Sequence, residues 1–351
     1  MAQGSAQTRT IKNSILKHIR HEDDFYPRIG RDYSVISEMS GEKGEDLSYL
    51  ISATGFAESG GLDVLSRMSV GEMALIRAVN NLSMSGAECE SISVSILAGS
   101  ECPEEKLRKE MISLTDISKK LRVRIAGGNT VFSGNEEGYS IEITAYGKVR
   151  EDILKRVSEK PMAGDKVVII GDAGSFGAAA ITEKRRSDMT SRFAESYMDG
   201  IIAPYSIGWD NIFVGEIVQK MVEAGAIYLH DVTFGGIYRT LLEVSEYSGL
   251  GIEVRHEDIP TKQSTIEVCE FWNLNPYKLL GTGGLVAVFR EEDAEKLFEN
   301  IHDELSGNLA GYSVSLAGEL TQLKERLILS ERNKTHRSIT MYEKDEIYSD
   351  I

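Results

Sequence analysis

The run Val79-Asn80-Asn81-Leu82-Ser83-Met84-Ser85-Gly86-Ala87 lies within a longer stretch, Gly71 to Thr130, that closes on Gly127-Gly128-Asn129-Thr130. Gly71 to Leu82 is apolar nearly all round (Met73, Leu75, Ile76, Val79, Leu82), the pattern of a buried helix rather than a surface one. Ser91 to Leu97 alternates Ile92, Val94 and Ile96 against Ser91, Ser93 and Ser95, which predicts a half-buried strand. Pro103 suits the first turn of a following helix, whose stripe is Leu107, Met111, Leu114, Ile117 and Leu121. Val123 to Ala126 predicts a further strand. This order of helix, strand, helix, strand leaves two polar corners, Asn80-Asn81 and Gly127-Gly128-Asn129-Thr130. The layout allows both to face one pocket suited to polyphosphate or metal ligands. Both corners carry Asn where a metal site would want Asp.

A length of 351 residues predicts two domains. The hydrophobic fraction of 41% and charged fraction of 27% are those of an ordinary globular chain. A net charge of −16 argues against non-specific nucleic-acid binding, which needs a basic footprint. No apolar run is long enough to span a membrane, and Met1 to Thr10 is small and polar, so no signal peptide is expected. Cys89, Cys102 and Cys269 form no C-x-x-C pair and no disulfide framework. A reducing cytoplasm is the expected location.

Ile11 to Ile19 predicts a short packing helix with Ile11, Ile15, Leu16 and Ile19 on one face. Arg28 to Ile36 reads as a glycine turn, an acidic residue and a strand entry, Glu42 to Asp46 as a charged loop, and Leu47 to Ala53 as a strand leading into Thr54-Gly55-Phe56. Tyr139 to Tyr146 is another strand. A second unit opens near Pro161, with Val167 to Ile170 a strand buried on both faces. Trp209 to Ala224 predicts an amphipathic helix, Ile227 to Leu229 a strand ending in His230-Asp231-Val232-Thr233-Phe234-Gly235-Gly236, and Ile237 to Tyr247 a helix. Further elements are expected at Gly251 to Val254, Ile266 to Trp272, Leu285 to Phe289, Glu291 to Leu305 and Tyr312 to Leu316. The predicted organisation is an arm at 1–27, domains at 28–158 and 159–330, and a loose polar tail at 331–351. Strands mixed with long helices favour an α+β or α/β sheet with helices on a face.

Each constellation has a chemical and a structural reading. Asn81 and Asn129 offer neutral carbonyl oxygens, weak partners for Mg²⁺, but their amide N–H groups can donate to phosphate; alternatively they are turn and cap residues. Gly171, Gly174 and Gly177 lead into a helix and either present backbone N–H groups to a phosphate or form a plain tight turn; they match neither a Walker loop nor the dinucleotide fingerprint. Asp231 and Thr233 are good N-cap types, and Gly235-Gly236 permits close approach. His230 is a candidate base, although a lone histidine is more often structural. Leu280-Gly281-Thr282-Gly283-Gly284 is a further loop able to line a site. No nucleophile elbow or Ser-His-Asp spacing appears.

Taken in order, Ile29-Gly30-x-Asp32-x-x-Val35-Ile36, Val79-Asn80-Asn81-Leu82-x-Met84-Ser85-Gly86-Ala87, Gly127-Gly128-Asn129-Thr130, Pro161-x-x-Gly164-Asp165-x-Val167 and His230-Asp231-Val232-Thr233-x-Gly235-Gly236 resemble the aminoimidazole ribonucleotide synthetase-like (PurM-like) superfamily over about residues 28 to 320. Asp231-x-Thr233-x-Gly235-Gly236 and Ser245-Glu246-x-Ser248-Gly249-x-Gly251-Ile252 look most like its hydrogenase expression/formation (HypE-like) branch. The resemblance implies an N-terminal α+β domain, a C-terminal α/β domain, a homodimer through the N-terminal sheets, and ATP in a cleft with acidic residues holding Mg²⁺. Carried over by position, it makes Asp32, Thr54, Asn80, Asn81, Gly127, Gly128, Asn129, Thr130, Thr233, Gly235 and Gly236 cofactor-binding, Asp32 and Asp231 metal ligands, and His230 and Asp231 catalytic.

The chain departs from that pattern. Thr54, Asn81 and Asn129 stand where carboxylates are implied, which removes about three negative charges and most of the Coulomb attraction for a divalent ion. A Gly/Lys-rich loop before Arg28 is not evident. The HypE-like branch uses a C-terminal cysteine, whereas the last cysteine here is Cys269, so that chemistry in its usual form is not expected. The expectation is a homodimer with a nucleotide- or phosphate-binding cleft and weakened metal-dependent ATP chemistry. Two alternatives stay open: an active ATP-dependent kinase or synthetase with Glu58, Asp63 or Glu72 as relocated ligands, and a non-catalytic regulatory or scaffold dimer that docks a partner protein.

Overall fold

The structure is a computed structural model and describes residues 10–19, 27–39, 47–134, 137–206, 208–304, 312–330, 332, 334–340 and 344–349. The charged loop expected at 42–46, most of the N-terminal decapeptide and parts of the tail lie outside the described residues. Contacts divide the chain into two compact units. An N-terminal unit comprises Asp32–Leu154 and Ala180–Gly215. A C-terminal unit comprises the described residues through Arg31, Lys155–Ala179, and those from Glu216 onward. The chain therefore passes between units four times. The expected boundary at 158 falls close to one passage; the return of residues 180–215 to the first unit is marked by no change in composition.

The N-terminal unit holds β1 (Ser34–Met39), β2 (Ser48–Glu58), β3 (Glu88–Ala98), β4 (Arg124–Phe132) and β5 (Tyr139–Arg150) in the order β1-β2-β5-β3-β4. Neighbours are antiparallel except β3 and β4. A parallel pair needs a crossover, and α2 (Glu104–Lys120) supplies it, with Pro103 at its N-cap, one position ahead of the first turn. The helix predicted at 71–82 is α1 (Val70–Ser83). A capping box starts it: Ser69 Oγ accepts from the Glu72 N–H and the Glu72 carboxylate accepts from the Ser69 N–H. As predicted, α1 is buried all round. It lies so close to β2 that a Cβ on Gly55 would stand 2.2 Å from the Ala74 carbonyl oxygen, so glycine is required there.

One face of this sheet is the core, with Ile51, Ala53, Ile92, Val94, Ile141 and Ile143 buried. The other face carries Thr54, Ser95, Glu142 and Asn129 exposed, along with Phe56, Leu97 and Val131, each about half exposed. The corner expected at Gly127-Gly128-Asn129-Thr130 is corrected: all four lie inside β4, paired with Ser93 to Ile96 of β3. Gly128 is a packing requirement, since a Cβ there would meet the Val94 carbonyl oxygen at 2.0 Å.

The C-terminal unit is built on β6 (Lys166–Ile170), β7 (Tyr228–Val232), β8 (Gly251–Arg255), β9 (Gly284–Phe289), β10 (Val314–Thr321), β11 (Arg326–Ser330) and β12 (Thr335–Ser338), in the order β12-β11-β8-β10-β6-β9-β7. Only β8 and β11 pair in parallel. The continuous apolar runs of β6 and β9 are buried on both faces, as their sequence predicts. Helix α3 (Ser175–Lys184) follows β6, and α4 (Gly236–Ser248) follows β7. Ile237, Leu241, Leu242 and Val244 of α4 join Val167, Ile169 and Val286 in the core.

Three elements differ from their sequence patterns. Residues 11–18 form a π turn and a 3₁₀ turn with no buried residue, because Ile15 and Ile19 remain exposed. The helix predicted from Trp209 begins only at Gly215, since Ile212 and Val214 are held in a non-helical path by Asn80. The tail is not loose throughout: Glu346–Tyr348 is a 3₁₀ turn capped by Asp345, with Ile347 fully buried. Among the described residues no helix is long and apolar enough to cross a membrane.

Candidate functional site

The His-Asp-Val-Thr-Phe-Gly-Gly segment runs from a fully buried strand into a helix. His230, Asp231 and Val232 belong to β7 rather than following it. Neither Asp231 nor Thr233 caps α4. The N-cap is Gly235 in the left-handed region (φ 88°), where a side chain would be strained. Gly236 also has positive φ, and its Cβ would lie 2.5 Å from the Leu279 carbonyl oxygen. The 233–236 and 279–284 loops thus touch backbone to backbone, and the Gly281 N–H donates to the Thr233 carbonyl at 3.3 Å.

His230 is buried, with Nε2 2.9 Å from Glu243 of α4 and Nδ1 3.8 Å from the Asp231 carboxylate. Arg239 donates to the same Glu243 at 3.0 Å, one helical turn away. Burial raises the Glu243 pKa, but His230 and Arg239 outweigh it and hold the carboxyl below its ordinary value. An ionised carboxylate only accepts, so Nε2 donates to Glu243 and is not a free base. With Nε2 donating to Glu243, Nδ1 is the ring nitrogen left to accept a proton, on the side of the Asp231 carboxylate, so the arrangement is compatible with His230 as a candidate base. Asp231 is buried, and its carbonyl accepts from Thr240 Oγ1. Its carboxylate is of the type a hard cation takes.

The segment leading to Asp32 is fixed on this same part of the C-terminal unit. The Tyr228 hydroxyl donates to the Gly30 carbonyl, and the Arg28 guanidinium lies 5.1 Å over the Tyr247 ring. Gly30 has φ 79°, and a Cβ there would meet the Glu243 carbonyl oxygen at 2.7 Å. Asp32 follows two residues on, at the chain's passage into the N-terminal unit.

In the N-terminal unit the two neighbouring asparagines do different work. Asn80 is buried, donates to the Ile212 carbonyl at 2.8 Å and accepts from the Val214 N–H at 3.0 Å. Both ends of its amide serve the fold, which corrects its assignment to cofactor binding. Asn81 donates to the Thr54 carbonyl at 2.9 Å, and Thr54 lies mid-strand in β2. Asn129 sits on β4, three strand spacings from Thr54, or about 14 Å.

Packing accounts for the other glycine loop. Cβ atoms on Gly174 and Gly177 would clash with Pro276 and Leu279 at 2.5 and 2.6 Å, so close packing alone accounts for these two glycines. Asp172 there pairs with Lys262 at 3.2 Å and accepts from Ser313. Burial pushes the Cys269 thiol up to about 12 and the Cys89 thiol up to about 11, which leaves both protonated and poorly nucleophilic. Sequence reasoning missed Glu243, Arg239 and Asp345. The first two were findable as an i,i+4 pair on the predicted helix; nothing in the polar tail singles out Asp345.

A two-unit mixed α/β chain with an Asp-x-Thr-x-Gly-Gly turn after a buried strand defines a class. Residues 42–149 match the AIR synthase related protein N-terminal domain and residues 162–307 the C-terminal domain, and the chain belongs to this PurM-like family. Within it the chain is similar to the carbamoyl dehydratase HypE of Rhizobium leguminosarum bv. viciae, 27% identical over 239 residues, 67% of this chain and 64% of the relative. A hydrogenase expression/formation protein of Methanocaldococcus jannaschii is 25% identical over 69% of this chain and 68% of its own length. The match thus spans just under two thirds of the Rhizobium protein's length. Among solved structures, HypE in a HypE–HypF complex superposes with a TM-score of 0.71 at 21% identity, covering 95% of this chain and 99% of that one. HypE in complex with ATP gives 0.68 at 20% identity, covering 98% and 97%. These likenesses show the fold.

Proposed function

We propose that this chain is a homodimeric nucleotide- or phosphate-binding member of the family whose Mg²⁺-dependent ATP chemistry is weakened. The observation that carries the reading is the state of the positions where the resemblance implies carboxylates. Thr54 and Asn81 are neutral and bonded to each other, and Asn129 is neutral on the edge strand. Asp32 and Asp231 are the two acidic positions left to hold Mg²⁺, which would neutralise phosphate charge. Thr54, Asn81, Asn129, Thr130, Thr233 and the Gly127-Gly128 and Gly235-Gly236 backbones are the proposed phosphate contacts. The relative solved with ATP, and a thiamine monophosphate kinase neighbour solved with AMPPCP and TMP, support a nucleotide as ligand.

Relocated metal ligands are disfavoured by specific bonds. Asp63 is buried against Arg77 at 2.6 Å, and Glu72 is held in the capping box. Of the three candidates, only Glu58 is exposed. The half-exposed Phe56, Leu97 and Val131 on an otherwise polar sheet face support the homodimer, because a sheet face with apolar side chains is stabilised by covering it.

Calorimetry with ATP, with and without Mg²⁺, followed by an ADP-release assay, tests the reading. Binding that is indifferent to Mg²⁺ and without turnover is expected. Tight Mg²⁺-dependent binding with turnover would overturn it. In the triple variant Thr54→Asp, Asn81→Asp, Asn129→Asp, Mg²⁺-dependent ATP binding should appear or strengthen. Absence of nucleotide binding in both chains would favour the scaffold dimer.

A further inference from the structure

The C-terminal sheet ends in β7 on one side and β12 on the other. Every residue of β7 is buried, whereas Thr335, His336, Arg337 and Ser338 of β12 are all exposed. Among the described residues β12 pairs with β11 alone. The Ile339 N–H donates to the Arg326 carbonyl at 2.7 Å, which fixes the phase of this ladder. Bonded and non-bonded pairs alternate along an antiparallel ladder. Ile339, Arg337 and Thr335 therefore bond inward to β11, and the N–H and C=O groups of His336 and Ser338 point outward. Outward backbone groups of this kind are what an added strand takes up. The edge is held in shape from behind: Glu257 accepts from Ser330 Oγ at 2.7 Å and from the Arg332 N–H at 3.3 Å, at the turn between β11 and β12.

The charge along this edge is opposite to that of the molecule. Within residues 331–340, Arg332, Lys334 and Arg337 stand against one carboxylate, Glu331, in a chain of net charge −16. Side chains alternate across a strand. Buried Ile339 marks the core face, which Arg337 shares, and His336 and Ser338 occupy the other. The Arg337 guanidinium is folded back onto α4, where it donates to the Tyr238 hydroxyl at 2.8 Å and lies 5.8 Å over that ring. It leaves the backbone edge open and keeps a positive charge beside it. We infer that β12 is a docking edge for an acidic, extended segment of a partner protein, which adds to the sheet as a further strand. Two β12 edges set side by side would oppose like charges, which disfavours a second copy of this chain. An acidic strand gains attraction at the same positions.

The test uses the full chain and a fluorescent peptide of about six residues, the usual strand length, alternating Glu with Val and blocked at both ends. A peptide with Lys in place of Glu is the control. Anisotropy reads affinity, and hydrogen exchange by NMR reads the edge. The Glu peptide should bind in preference to the Lys peptide. It should slow exchange of the His336 and Ser338 N–H groups by about tenfold or more at saturation, and leave the Arg337 N–H, already bonded to β11, unchanged. Ser338→Pro removes one outward N–H without touching the inner ladder and should weaken binding by about fivefold or more. Arg337→Glu should weaken it by about tenfold and abolish the preference for the Glu peptide. No binding, equal binding of the two peptides, or binding that leaves His336 and Ser338 exchange unchanged would overturn the inference. So would a Ser338→Pro variant that turns a wild-type dimer into monomer, because the edge would then hold a second copy. Should Ser338→Pro fail to fold, Arg337→Glu and the wild-type exchange pattern decide.

Discussion

Asn80 and Asn81 are adjacent and chemically identical, yet one holds the fold together across the unit and the other makes a single bond to a strand carbonyl. Replacing Asn80 by Ala leaves a buried N–H and a buried C=O without partners, and should cost about 2–4 kcal/mol in urea unfolding. Asn81→Ala should cost about 1 kcal/mol or less. A similar loss in both would contradict the division of roles. Asp345 adds a pH signature. A carboxyl whose folded pKa is raised contributes stability that is fully present below its unfolded pKa and lost as pH rises through the folded value, here about 7. The stability of Asp345→Asn relative to wild type should therefore improve between about pH 4 and pH 8, by on the order of a few kcal/mol. A flat difference across that range would show that the carboxyl is not desolvated. Such distinctions are illegible in a single sequence, because the partners of Asn80, and the Gly235 and Leu280 partners of Asp345, lie more than sixty residues away.

The elements that could be read were those whose pattern and environment agree. The all-round apolar α1 and the continuous runs of β6 and β9 are buried as their periodicity predicts. Gly127-Gly128-Asn129-Thr130 reads as a corner because its residues have poor strand propensity, and pairing with β3 overrides that preference. The two glycines are then not equivalent. Gly128→Ala places a methyl 2.0 Å from a carbonyl oxygen and should lower stability by more than about 2 kcal/mol, whereas Gly127→Ala, with open space around it, should stay within about 0.5 kcal/mol. Thermal unfolding of the pair settles this. The site was legible to the extent that the Asp-x-Thr-x-Gly-Gly segment does join a buried strand to a helix. The Glu243 and Arg239 that restrain His230 come from that helix, and the sequence pattern shows them only as a solvated-looking pair.

For the whole molecule, the polar sheet face with its apolar Phe56, Leu97 and Val131 predicts the oligomeric state. Leu97→Glu should shift a sedimenting dimer to monomer with the helical content unchanged, because Leu97 is half exposed and outside the core. A dimer that survives both Leu97→Glu and Phe56→Glu would place the interface elsewhere. The passage of residues 180–215 back to the first unit also bears on how the protein is made. The Asn80–Val214 bond joins residues 134 apart. At about 5–20 residues per second, a ribosome leaves the end of α1 waiting roughly 7–27 s for its partner segment. The first unit is finished only after translation has gone well into the second, so a nascent chain paused anywhere between 155 and 211 would carry an incomplete fold open to chaperones or proteases.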